Sequence, residues 1–311
     1  MRNAIGLAAS MASGISNNFG TITKPLHAGL AAQNVILAAL MAKSGINASK
    51  DALEGPLGFF HAFGWAEKGD LDYIAQLGNP WVLEKPGVLN PKLYPCCHGV
   101  ATNIELGILI RRKYQFSVGD VEEIKIHTQP KALSAMMSKR YLETGELLKW
   151  GYDGPPQQIV PAIPRNGKEA KFSKEYALAR AIEHGKVEIK HFSDEAVNDP
   201  LIINWMQKIK VFHNSKLEKL SCEFPEEEWP YGERVEVRLK DGRVLEEEQI
   251  FVQGAAKRPF FMEDVIQKYH NCAIEAGLSE EKRQKILLMV KDLDQLTSIS
   301  DLVGQYEGFL D

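Results

Sequence analysis

Apolar and polar positions divide the chain into three stretches of different rhythm. From Ala4 to Ile46 nearly every residue is small or apolar, and AIGLAASMASGI suits a helix buried on several sides. Asn17, Asn18 and Gly20 interrupt this run. Pro25 then stands where the first turn of a second helix loses nothing by lacking an N–H. That helix places His27, Leu30, Ala31 and Asn34 on one face and ends near Gly45. A third helical segment is expected from about Ser49, short because Gly55 and Pro56 break it. EKGDLDYIAQLG, residues 67–78, predicts another short helix. A loop with four prolines, NPWVLEKPGVLNPKLYPCC, leads into CHGVATNIELGILIRRKY, whose length predicts a helix of about four turns.

After Val118 the rhythm changes. VEEIKIHT alternates, apolar at Val121, Ile124 and Ile126, and predicts a half-buried strand. SKEYALARAIEHG predicts a helix closed by Gly185. ERVEVRLKDGRVLEEE predicts a hairpin: Val235, Val237 and Leu239 alternate, Asp241-Gly242 supplies the turn and Val244 begins the return. From Pro259 the helical rhythm resumes in MEDVIQKYHNCAIEAG, SEEKRQKILLMVKDLDQL and SISDLVGQY. The order helical, mixed, helical predicts an α+β multidomain protein. In this reading an all-helical domain, 1–117 and 258–311, carries an inserted smaller α/β domain, 118–257.

Composition narrows the function classes. At 311 residues, 44% hydrophobic and 25% charged, the chain has the make-up of a soluble globular protein. A formal net charge of -4 gives no reason to expect a nucleic-acid partner, although a local basic cleft for an anionic metabolite is compatible with it. Cys96 and Cys97 are adjacent, and with Cys222 and Cys272 they match neither a zinc-site nor a redox-pair spacing; free thiols are expected. No run is expected to reach the roughly eighteen apolar residues that span a bilayer, and the Ala-rich start lacks an uninterrupted signal core. The reading is a cytoplasmic chain with no membrane partner. Neither a metal nor a cofactor is expected. The chain has no GxGxxG after a strand, no GxxxxGK[ST], no HExxH and no GxSxG.

Two stretches set cations on stiff backbone. TKPLHAG carries Lys24 and His27 at a helix start, where free N–H groups and the helix dipole favour an anion and an imidazole is suited to proton transfer. The same residues also suit a lysine turned to water and a histidine bonded to a carbonyl, and both readings stand. NPKLYPCCHG holds Lys92, Tyr94, Cys97 and His98 between Pro91, Pro95 and a helix, which suits either a preorganised charge or a stiff packed connection. Adjacency of Cys97 and His98 does not give a nucleophile–base pair its reach. Arg165 and Lys171, in IPRNGKEAKFSKEY, flank a helix start and suit either a bound carboxylate or a solvated basic run.

MRNAIGLAASMASGISNNFGTITKPLHAGLAAQNVILAALMAKSG, LEGPLGFFHAFG, KLYPCCHGVATNIELG, EAKFSKEYALARAIEHG and MEDVIQKYHNCAIEAGLSEE together resemble the MmgE/PrpD family across essentially the whole chain. The family includes 2-methylcitrate dehydratase, cis-aconitate decarboxylase and an iminodisuccinate epimerase. The resemblance implies a large helical domain with a smaller α/β lid, a homodimer, metal-independent chemistry and a site between the domains. It implies catalytic roles for His27 and Lys92 and a substrate contact from Lys171, beside which Lys24 and Arg165 are expected, from their charge and position, to contact substrate carboxylates. The function implied is a lyase, dehydratase or decarboxylase, on a small di- or tricarboxylate such as 2-methylcitrate or cis-aconitate. An epimerase of an amino-dicarboxylate would use the same site. Family members begin with further helical residues that include a His/Asp-rich stretch, so the resemblance implies a chain lacking its N-terminal part. A separate N-terminal polypeptide is then an expected partner, and a non-catalytic accessory chain is an open alternative.

Overall fold

The computed structural model describes residues 1–15, 18, 23–64, 78, 79, 81, 91–129, 157–159, 163–224 and 230–306. The molecule is an α+β protein in which a five-stranded sheet is inserted between helical segments. Two compact units divide the chain, Met1–Glu84 and Lys85–Asp311.

In the first unit α1 (Arg2–Ser10) packs along α2 (Thr23–Lys43), and α3 (Phe59–Ala62) is a single turn. The side-chain amide of Asn34 donates to Met11 O at 3.0 Å, tying α2 to the residue that follows α1. His27, Leu30, Asn34, Ala38 and Met41 form the covered stripe of α2, at helical spacing. Gly45, at φ 97°, follows the helix end as expected. The expectation that AIGLAASMASGI is buried on several sides is corrected here, since Gly6 is the only buried residue of α1; in α2 only Ala38 is buried, while Leu26, Val35, Ile36 and Leu40 are exposed. A single helical neighbour covers one stripe of a cylinder and no more. By length and composition α2 is long and apolar enough to cross a bilayer, where no run was expected to be. The helix expected from Ser49 is replaced by turns up to Gly58, where Gly55 and Pro56 interrupt helical bonding. The helix expected over 67–78 lies outside the described residues.

The second unit is built on α4 (His98–Lys113), α6 (Lys174–His184) and the sheet. Strands β1 (Val121–Thr128), β2 (Gln157–Ile159), β3 (Ile209–His213), β4 (Pro230–Leu239) and β5 (Val244–Phe251) lie in the order β2-β3-β1-β4-β5. β1 runs parallel to β3, pairing Ile126 with Val211, and antiparallel to β4, pairing Ile126 with Val235. Val121, Ile124 and Ile126 are buried, as the alternation of VEEIKIHT predicts. Asp241 and Gly242 turn the β4–β5 hairpin, with Gly242 at φ 89°. Ser173 caps α6 by accepting the Tyr176 N–H, and Gly185 closes it at φ 67°.

Short helices connect these pieces: α5 (Gly167–Ala170), α7 (Asp194–Val197), α8 (Pro200–Gln207) and α9 (Ser215–Cys222). One core contains Ile104 and Ile110 of α4, Leu178 and Ile182 of α6, and the inward residues of β1, β3 and β4. The helices α10 (Met262–Glu275), α11 (Glu280–Lys291) and α12 (Ile299–Val303) follow the sheet, with a small core of Ala273, Leu278 and Ile286.

Candidate functional site

Within the second unit a cleft of about 880 Å³ opens between the 92–96 loop, the 186–190 segment and α10. Lys92 and Lys171, both singled out in the sequence, line it together. Lys186, Lys190 and Lys268 line it as well, against the two carboxylates of Glu188 and Glu275. Glu188 pairs with Lys186 at 3.1 Å and with Lys190 at 3.3 Å. Lys171 and Lys268 have no carboxylate partner among the described residues. Leu93, Pro95, Val187, Ile189 and Ile274 supply apolar wall between these charges. A cleft so lined favours a small molecule carrying several anionic groups on a short carbon frame.

The loop that carries Lys92 is held by its own bonds. Lys92 Nζ donates to Cys96 O at 3.2 Å, and Cys96 N donates to Tyr94 O at 2.9 Å. Cys97 N donates to Lys171 O at 2.9 Å, fixing the loop against the segment that bears the second lysine. Cys97 is then the N-cap of α4 and supplies no side-chain cap, so the positive end of this 16-residue helix begins beside the lysine-bearing loop. Burial drives the His98 imidazole down to about 4, and the charge of Lys92 adds to that effect. His98 is therefore a neutral ring at physiological pH. Burial pushes the Cys96 thiol up to about 12, with the neighbouring Cys97 acting in the same direction. Tyr94 is likewise raised by burial. Neither Cys96 nor Tyr94 is set up to ionise at neutral pH.

The remaining predicted residues lie elsewhere. Arg165 is 84% exposed and forks onto Glu169 at 2.6 Å, and the cleft lining does not include it. Its guanidinium is committed to the first turn of α5, so a substrate carboxylate would have to displace Glu169. His27 and Lys24 belong to the first unit, in the first turns of α2. His27 is partly covered, and a Cβ built on Gly14 would stand 3.2 Å from its Nδ1. Lys24 is exposed.

A buried ionic cluster behind the lysine-bearing loop was not foreseen. Lys174 and Glu233 are both fully buried and paired with each other. Glu233 also accepts the Thr128 hydroxyl at 2.8 Å, and burial raises its carboxyl against the opposing pull of Lys174. One signal was present in the sequence: Lys174, Leu178 and Ala181 fall on one face of α6, so a lysine at that position turns inward. Among the described residues no group of three or more His, Cys, Asp or Glu side chains is placed to hold a metal ion.

Comparison with known proteins places two family models on the chain. The MmgE/PrpD N-terminal domain matches residues 1–70 and the MmgE/PrpD C-terminal domain matches residues 94–295. Curated relatives include cis-aconitate decarboxylase of Mus musculus, 23% identical over 317 residues, covering 99% of this chain and 57% of that protein. The cis-aconitate decarboxylase of Homo sapiens is 23% identical over 314 residues with the same coverage. That of Aspergillus terreus (strain NIH 2624 / FGSC A1156) is 24% identical over 313 residues, covering 97% of this chain and 58% of the relative. The chain thus spans 57–58% of the length of these relatives. The expectation that the N-terminal part of the family is lacking is corrected by the first of the two matches, because residues 1–70 are themselves N-terminal-domain sequence.

Proposed function

The chain belongs to the MmgE/PrpD family, and from that premise we propose that it is a lyase acting on a small di- or tricarboxylate, with 2-methylcitrate and cis-aconitate as candidate substrates. The observation that carries the reading is the meeting of Lys92 and Lys171 in one lysine-lined cleft beside the N-terminus of α4. Similarity to cis-aconitate decarboxylases supports the same substrate class.

Dehydrating a β-hydroxy acid and decarboxylating a β,γ-unsaturated acid present a common difficulty, since each builds negative charge on carbon next to a carboxylate. Fixed cations aimed at that charge supply the largest part of such catalysis. In the proposed mechanism Lys92 and Lys171 clamp carboxylates and stabilise the developing enolate-like charge. Lys92 is suited to this by the bond to Cys96 O that holds its ammonium at the loop. His27 is proposed as the proton-transfer group, on the strength of the family-like KPLHAG stretch and its place in the first turns of α2. Lys24 is proposed as a further carboxylate contact on the same stretch.

The test is calorimetric titration of the purified chain with citrate and cis-aconitate, followed by turnover assays on cis-aconitate and 2-methylcitrate. Lys92→Ala and Lys171→Ala should each weaken binding about 10- to 100-fold, the range expected for loss of one charge-assisted hydrogen bond. Binding that is absent in the unsubstituted protein, or indifferent to both substitutions, would refute the carboxylate reading.

A further inference from the structure

Lys174 opens α6, a position where a lysine ordinarily reaches water, yet here the side chain is fully buried. Its ammonium donates to Gly99 O, in the first turn of α4, and to Glu233 Oε1 on β4. Glu233 Oε1 is held in turn by the Thr128 hydroxyl at the end of β1. A charge removed this completely from water is tolerated only where it is paired and hydrogen-bonded, which limits where the Lys174 ammonium can sit.

The consequence lies in what those bonds join. Segment 92–99 carries Lys92, and segment 171–174 carries Lys171. Bonds that link the segments include Cys97 N donating to Lys171 O at 2.9 Å and Lys174 Nζ donating to Gly99 O. A third bond, from Lys92 Nζ to Cys96 O at 3.2 Å, fixes the first lysine to its own end of this frame. Removing the Lys174 tie takes away the bond that links the start of α6 to the first turn of α4.

We propose that Lys174, anchored by Glu233, is a positioning residue that sets the separation of Lys92 and Lys171 across the cleft and thereby the carboxylate spacing the cleft accepts. The inference rests on the carboxylate reading of the cleft. Lys174 itself touches no substrate.

The pair is tested by removing both charges together, since Lys174→Met alone would leave Glu233 buried without its partner. Two paired variants serve, K174M/E233M and K174Q/E233Q, each checked for cooperative unfolding, with Glu233→Gln as the conservative control that keeps an oxygen facing Lys174. Affinities for succinate, glutarate and citrate are measured by calorimetry. The unsubstituted protein should discriminate among the three acids. The folded paired variants should bind the preferred acid about tenfold or more weaker, in keeping with the cost of ångström-scale misplacement, and should lose the discrimination. Glu233→Gln, which keeps an oxygen facing Lys174 but removes the charge that anchors it, should weaken the discrimination. A merely structural role would lower the melting temperature and leave affinity and preference unchanged in the folded variants, and that result would overturn the proposal. Collapse of both paired variants while Glu233→Gln also loses discrimination would support it; collapse with discrimination intact in Glu233→Gln at a lowered melting temperature would count against it. Absence of binding by the unsubstituted protein would instead remove the carboxylate reading, and this inference with it.

Discussion

Cys96 and Cys272 line one cleft and have opposite chemistry. Cys96 is buried, its thiol pushed up to about 12, whereas Cys272 lies exposed on α10. Only the thiolate attacks electrophiles. Iodoacetamide at about pH 8 should therefore label Cys272 well before Cys96 in the folded protein, and peptide mass spectrometry reads the order directly. Equal labelling would mean that the 92–99 loop opens to solvent. His27 is the second residue-scale test. His27→Gln preserves size and hydrogen bonding but removes a group that can take up and release a proton, so turnover of the accepted acid should fall about 10²–10⁴-fold with melting temperature unchanged. Full turnover in that variant would remove His27 from the proposed mechanism. Lys92 and His27 were marked as candidates in the sequence by stiff flanking prolines and a helix start. Arg165 was marked the same way, and its ion pair with Glu169 one turn later, at (i, i+4), could have been counted against it.

Elements with explicit punctuation were read correctly. Ser173 and Gly185 bound α6, Asp241-Gly242 marks the hairpin, and the alternation of VEEIKIHT marks β1. β3 was missed. IKVFH is five residues long, and its principal partner, β1, runs parallel to it, so no adjoining turn announces the pairing. The α4–α6 crossing was also hidden, although the sequence contained its cause. A Cβ built on Gly107 would lie 2.6 Å from Ala181 Cβ and 3.0 Å from Leu178 Cδ1, so the glycine permits the close approach of the two helices. Gly107→Ala should destabilise the protein by about 1–3 kcal/mol, the usual cost of overpacking, despite alanine's better helix propensity. Denaturant unfolding checks the sign. A stabilised variant would show that the crossing relaxes freely.

At the scale of the molecule, acid stability follows from histidines placed in different elements. His98 on α4, His127 on β1 and His191 before α7 are each held down to about 4, burial being the largest cause in every case. His191 shows what protonation breaks: its Nδ1 accepts the Glu188 N–H at 3.0 Å, and its ring stacks on His184 at 5.0 Å. A folded value below the unfolded one, about 6.5, means that the unfolded chain takes up protons first as pH falls. The contribution of these neutral rings is complete above about pH 6.5 and is lost progressively toward pH 4. Chemical denaturation across that window should show falling stability, and His191→Gln should flatten the slope. A slope unchanged by the substitution would mean that His191 titrates normally in the folded protein. The two units also differ in burial: Ala38 is the only buried residue of α2, whereas α4 and α6 are buried along most of their length.

The sequence by itself determined the local events: where helices are capped, where the hairpin turns, which strand residues face inward, and that the chain carries the family's stretches from end to end. These depend on residues a few positions apart, whose geometry the backbone dictates. Tertiary structure alone decided that Lys92 and Lys171 line one cleft, that Arg165 does not, and that Lys174 lies buried against Glu233. Those outcomes depend on which distant segments the core brings together, and on whether a charged side chain meets water or a partner when it does.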